Sequence, residues 1–117
     1  MTLILVAGAF SARKMTADPV GGPKRNDDTV KSREIDVYDV KYTGGEQGDA
    51  KAIAENSNDD IDMKVYDPHG DLAASDTDDD AEPHCSWNVS SDYDWRIYKI
   101  KILNNEHHDV RYTVKFY

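Results

Sequence analysis

Apolar and polar residues alternate along most of this chain with a period of two, and turn-forming residues interrupt the alternation about every 8–12 positions. From Glu34 to Tyr42, Ile35 and Val37 fall on one face, then Tyr38, Val40 and Tyr42 on the other. That change of phase predicts either a bulge or a strand covered on both sides. Thr43-Gly44-Gly45-Glu46-Gln47-Gly48 reads as a turn. From Asp49 to Glu55, Ala50, Ala52 and Ala54 alternate against Lys51, Ile53 and Glu55. After a polar turn from Asn56 to Asp60 comes the most regular strand, with Ile61, Met63 and Val65 inward and Asp62, Lys64 and Tyr66 outward. Asp67-Pro68-His69-Gly70 has the chemistry of a tight turn, since proline presets its φ and glycine accepts a positive one. A short strand from Asp71 to Ala74 completes this hairpin.

An acidic loop from Ser75 to Pro83 follows, and Cys85 and Trp87 then alternate on another strand. The chain turns over Asn88 to Asp94 and closes with a hairpin of Trp95 to Leu103 and Arg111 to Tyr117. In the last strand Tyr112, Val114 and Phe116 share one face and Arg111, Thr113 and Lys115 the other. Seven or eight short strands and no helical pattern predict an all-β antiparallel sandwich of jelly-roll-like form over residues 34–117. Residues 1–33 divide from it. The run Leu3 to Phe10 is too short to span a bilayer, and reads either as the remnant of an export signal or as an extra strand on the sandwich. From Arg13 to Arg33 almost nothing is large and apolar, which predicts a polar linker or a loosely attached arm.

Composition narrows the functional classes. The 117 residues suit one domain, and the net charge of −9 argues against a phosphate backbone or an anionic membrane as partner. It favours solubility, a cation or a basic partner. The single cysteine, Cys85, cannot form an internal disulfide, and its place on an alternating strand predicts a small buried side chain.

Asn58 to Asp76 combines an Asp-rich turn, an alternating strand, the Asp67-Pro68-His69-Gly70 turn and a strand of small residues. Together with Cys85-Ser86-Trp87-Asn88, Trp95 to Leu103, Asn104-Asn105 and Arg111-Tyr112-Thr113-Val114, this order resembles the bacterial pre-peptidase C-terminal domain family. The resemblance covers Glu34 to Tyr117. One departure is the corner Ser90-Ser91-Asp92-Tyr93-Asp94, which lacks the glycine usual there. The resemblance implies a β-sandwich accessory module, secreted or periplasmic, beside exported enzymes. Some related domains bind calcium or insoluble substrates such as collagen.

Two acidic segments are candidate ligands for a hard cation. Asp76, Asp78 and Asp80 alternate in one loop, with Asp79 and Glu82 beside them, while Asp59, Asp60 and Asp62 lead into the most regular strand. Ca2+ is the cofactor this chemistry suggests, drawn from both segments if they meet. An EF-hand is excluded, because counting from Asp76 its glycine position is Ala81 and its bidentate glutamate position is Trp87. The alternative is a solvated acidic loop. His69, His84, His107 and His108 read as exposed imidazoles rather than a zinc set, since His84 and Cys85 are adjacent on a strand and point to opposite faces.

No serine sits in a nucleophile elbow and no catalytic constellation is visible, so a non-catalytic module is expected. Its partner would be a protein or an insoluble extracellular substrate. The alternative is a carbohydrate-binding module using an exposed Trp95 and tyrosines such as Tyr66, Tyr93, Tyr98 and Tyr117. A small secreted inhibitor or enzyme is the third class.

Overall fold

The structure, a computed structural model, describes residues 12–17 and 24–117, the former by their backbone alone. Among them are nine strands and no helix: β1 (Ala12–Ala17), β2 (Lys24–Val30), β3 (Ile35–Thr43), β4 (Gln47–Ala54), β5 (Ile61–Tyr66), β6 (Leu72–Asp76), β7 (His84–Asn88), β8 (Trp95–Asn104) and β9 (Val110–Phe116). They form a five-stranded sheet ordered β1-β3-β8-β5-β6 and a four-stranded sheet ordered β2-β9-β4-β7. All pairs are antiparallel except β1 with β3, which run parallel. The result is an all-β sandwich. No helix among the described residues is long and apolar enough to cross a membrane.

Alternation builds the core. Ile61, Met63 and Val65 of β5 and Tyr98, Ile100 and Ile102 of β8 face Ala50, Ala52 and Ala54 of β4 and Tyr112, Val114 and Phe116 of β9. The three alanines leave room for the larger side chains opposite, as close packing of two sheets requires. At one end Tyr42, Trp87 and Tyr98 meet as a ring cluster, with Trp87 centroids 5.0 Å from Tyr42 and 5.5 Å from Tyr98. Each such pair adds roughly 0.5–1.5 kcal/mol beyond its buried area. Cys85 is buried as well, and burial, with Asp76 and Asp49 nearby, pushes its thiol up to about 12. It is a packing residue.

One reading of the sequence is corrected here, and the structure chooses between two alternatives for another. The segment 13–33 is not simply a linker, because it supplies β1 and β2. β2 runs along the outside of β9 with Lys24 opposite Phe116 and Val30 opposite Val110. It carries no apolar alternation because it is an edge strand: only Val30 is buried, and backbone pairing does the rest. The apolar run Leu3 to Phe10 lies outside the described residues. The change of phase in β3 is not a bulge, since its register with β8 is unbroken from Ile35 to Thr43. The inward positions are Asp36, Tyr38, Val40 and Tyr42, so the first of them is a buried acid, and Val37 is covered on the opposite side.

The turn 67–70 forms as its chemistry predicts. The Asp67 side chain accepts from the backbone N–H groups of His69 at 2.8 Å and Asp71 at 3.0 Å, and Gly70 has φ +89°. The corner 90–94 forms without a glycine of its own. Gly44, in the turn between β3 and β4, packs against it and donates its N–H to the Asp94 carbonyl at 2.9 Å.

Candidate functional site

The two acidic segments meet at one end of the sandwich. The backbone joins them: Ile61 N–H donates to the Asp80 carbonyl at 3.2 Å and Ala54 N–H to the Ala81 carbonyl at 2.8 Å. This places the start of β5 against the loop between β6 and β7. The loop between β8 and β9 closes over the same place, with Asn105 N–H donating to the Asp60 carbonyl at 3.2 Å. Asn104 fixes that third loop from within. Its amide donates to the carbonyls of Val30, Lys31 and His108, and its oxygen accepts from Glu106 N–H at 2.8 Å.

Not all six sequence candidates converge. Asp60 lies near enough to Asp62 and Asp79 for their charges to act on it, but among the described residues only Asp59, Glu106 and His108 bring their donor atoms within 4.8 Å of one another. The Oδ1 atoms of Asp60 and Asp62 are both buried and have no hydrogen-bond partner among the described residues. Asp76 is committed to the loop, its two oxygens accepting from Asp78 N–H at 3.2 Å and His84 N–H at 2.9 Å. Asp80 likewise accepts from Glu82 N–H at 3.0 Å, and Asp78 is exposed. D-x-D-x-D spacing here makes turns. Asp59 faces away toward the third loop, where His108 Nε2 donates to its Oδ1 at 2.8 Å.

Asp59, Glu106 and His108 form a second group whose donor atoms all lie within 4.8 Å of one another, close enough to hold a metal ion. Local spacing could not reveal it, because Asp59 and His108 are 49 residues apart. Of the four histidines only His108 joins such a group among the described residues. His84 pairs with Asp49 at 2.8 Å on the solvated side of β7, while Cys85 points into the core.

Burial raises the pKa of Asp60, and the charges of Asp62 and Asp79 raise it further, against a smaller opposing contribution from the Asn105 side chain. A carboxyl that ionises less readily in the folded chain stabilises the fold while protonated. That contribution is present below the ordinary carboxylate range and disappears as pH rises through the raised value. Without metal, Asp60→Asn is therefore expected to melt above the parent chain at about pH 7, with the gap closing by about pH 4. Thermal melts of both proteins in EDTA check this, and a variant melting below the parent at neutral pH contradicts it.

The aromatic candidates divide. Trp87 and Tyr98 are core, whereas Tyr93 is 52% exposed, Trp95 49% and Tyr117 48%. The rings on or beside the outer face of the five-stranded sheet carry cations: Lys41 Nζ lies 4.5 Å from the Trp95 centroid, Arg96 4.6 Å from Tyr93 and Lys101 Nζ 4.9 Å from Tyr66. Each such contact occupies one of the two faces on which a sugar would stack.

Neither a protein-family model nor a curated protein sequence matches the chain. Solved structures do. The pre-peptidase C-terminal domain of a collagenase from Bacillus anthracis is 11% identical with a TM-score of 0.63, covering 92% of this chain and 96% of that one. CorA, a surface-associated copper-binding protein of Methylomicrobium album BG8, is 8% identical with a TM-score of 0.65, covering 92% and 98%. PliG of Salmonella Typhimurium, a periplasmic inhibitor of g-type lysozyme, is 15% identical with a TM-score of 0.57, covering 91% and 97%. The fold is thus that of a pre-peptidase C-terminal domain, shared with a metal-binding protein and an enzyme inhibitor.

Proposed function

We propose that this chain is an exported, non-catalytic accessory module that attaches to a protein or an insoluble extracellular partner and is stabilised by Ca2+ at Asp60, Asp62 and Asp79. The observation that carries the metal half is the pair of buried oxygens, on Asp60 and Asp62, without a hydrogen-bond partner among the described residues, with the Asp79 carboxyl close enough to Asp60 to act on its charge. Such groups are unfavourable in a fold unless a proton, a water or a cation satisfies them, and a cation does so while both carboxylates stay ionised. All-oxygen donors of this charge suit a hard divalent ion, and calcium tolerates an irregular shell better than magnesium does. Asp76, Asp78 and Asp80 act indirectly, by shaping the loop that presents Asp79. The neighbouring Asp59, Glu106 and His108 group includes an imidazole and suits a borderline metal such as zinc, at the expense of the His108–Asp59 hydrogen bond. The attachment half is supported by the fold, which recurs in a collagenase domain, a surface-associated protein and a periplasmic inhibitor. The carbohydrate-binding alternative is the weaker one, because two of the three exposed rings, Trp95 and Tyr93, carry a cation on one face.

Thermal melting tests the metal half. At a free calcium concentration one hundred times Kd, the stabilisation is about 2.7 kcal/mol. In a domain of this size that raises Tm by about 10 °C, and EDTA reverses it. A melting curve unchanged by both calcium and EDTA overturns the reading.

A further inference from the structure

The outward face of the five-stranded sheet has a charge pattern opposite to that of the chain. On β8 the outward residues are Trp95, Ile97, Lys99 and Lys101, on β3 they include Asp39 and Lys41, and on β5 they are Asp62, Lys64 and Tyr66, so four lysines face outward beside two acids. Register places Lys64 directly opposite Lys101, Tyr66 and Asp39 on either side of Lys99, and Lys41 opposite Ile97. Four of the chain's 14 basic residues therefore share one face of three adjacent strands, although acidic residues number 23.

Lys99 is paired with Asp39 at 2.8 Å. Lys64 and Lys101 have no ion-pair partner among the described residues, and like charges directly opposite one another destabilise a sheet. An acid at either position would relieve this. Beside the lysines lies a groove of about 620 Å3 between Ile97 and the turn 67–70. Asp67 lines it too, but its Oδ1 is committed to two backbone N–H groups. Trp95, Ile97 and Pro68 continue the apolar surface toward the end of β8.

We propose that this face docks an acidic segment of a partner protein, whose carboxylates meet Lys64, Lys101 and Lys99 and whose apolar side chains rest on Ile97, Trp95 and Pro68. The proposal rests on the attachment reading above and deepens it by naming the surface and the partner's chemistry. Charge complementarity selects the occupant. A protein is favoured over an acidic polysaccharide because Lys41 and Lys101 already lie over the Trp95 and Tyr66 rings.

The test uses the full chain and labelled poly-L-glutamate at low salt, followed by fluorescence anisotropy. The net charge of −9 repels this polymer, so saturable binding must come from a local basic face. The expected result is saturable, salt-sensitive binding that Lys64→Ala/Lys101→Ala weakens about tenfold without lowering Tm. Polygalacturonate of equal charge should bind more weakly. Absence of saturable binding, an unchanged affinity in the double variant, or a fall in Tm matching the loss of binding overturns the proposal. So does polygalacturonate binding of equal strength that Trp95→Ala abolishes, which identifies a carbohydrate surface instead. Asp79→Asn, in the loop between β6 and β7 and off this face, should bind poly-L-glutamate as the parent does, so loss of the calcium effect and loss of docking are separable.

Discussion

Tyr112→Phe is expected to lower the stability of the folded chain by about 3 kcal/mol, the upper range for removing a buried hydrogen bond to a charged group. The lost atom is one hydroxyl, but it sits in a relay that crosses the sandwich. Asn26 Nδ2 donates to the Tyr38 hydroxyl at 3.5 Å, Tyr38 to the Tyr112 hydroxyl at 2.7 Å, and Tyr112 to Asp36 Oδ2 at 2.6 Å. Asp36 is only 2% exposed, so water cannot replace the donor it loses. Burial raises the pKa of both tyrosines, which keeps both hydroxyls protonated and able to donate. Tyr38→Phe removes an outer link and leaves the bond to Asp36 intact, so it should cost only about 1 kcal/mol. Urea denaturation of the two variants separates these values. Equal losses would show that the relay is not centred on Asp36.

Gly44→Ala should destabilise by a comparable amount, about 3 kcal/mol, at the upper end of the usual penalty for overpacking. A Cβ at this position would lie 1.7 Å from the Tyr93 carbonyl oxygen, a backbone atom that cannot swing aside. The corner 90–94 would have to move, and with it the Gly44–Asp94 hydrogen bond. Gly70 supplies the control. Its φ of +89° strains any side chain, yet a Cβ there would meet nothing within 4 Å. Gly70→Ala should therefore cost about 1 kcal/mol, from backbone strain alone. Chemical denaturation of both variants decides the matter, and a Gly44→Ala penalty no larger than that of Gly70→Ala contradicts the close approach.

Most of the sandwich was legible because its central strands alternate. Ile61, Met63 and Val65 lie inward as their spacing predicts, and so do Tyr112, Val114 and Phe116. What escaped is instructive in physical terms. β2 was illegible because an edge strand held by backbone pairing needs few apolar side chains, and Lys24 to Thr29 contains none. The start of β3 misled because its inward position is Asp36, an acid whose donor lies 76 residues away. The corner 90–94 lacks a glycine because Gly44 provides the close approach from a neighbouring turn.

The proposed site was legible as residues but not as geometry. Asp60 and Asp62 could be picked out from sequence because they flank the start of a regular strand. The alternating acids Asp76, Asp78 and Asp80 drew attention by their spacing, yet Asp76 and Asp80 serve as local caps, and it is Asp79 whose charge acts on Asp60. Glu106 and His108 could not have been found, since their relation to Asp59 exists only once β8 and β9 are joined into different sheets. The lysine face was visible as residues but not as a surface, because the opposition of Lys64 and Lys101 depends on strand register.

The most direct test of the account is a calorimetric titration of calcium into the metal-free chain, repeated with Asp60→Asn/Asp62→Asn. Saturable binding by the parent chain is expected, with an affinity lower by about a hundredfold in the variant, because both carboxylates with buried, unpaired oxygens are neutralised. Absence of binding heat in the parent chain, or equal affinity in both proteins, would contradict it.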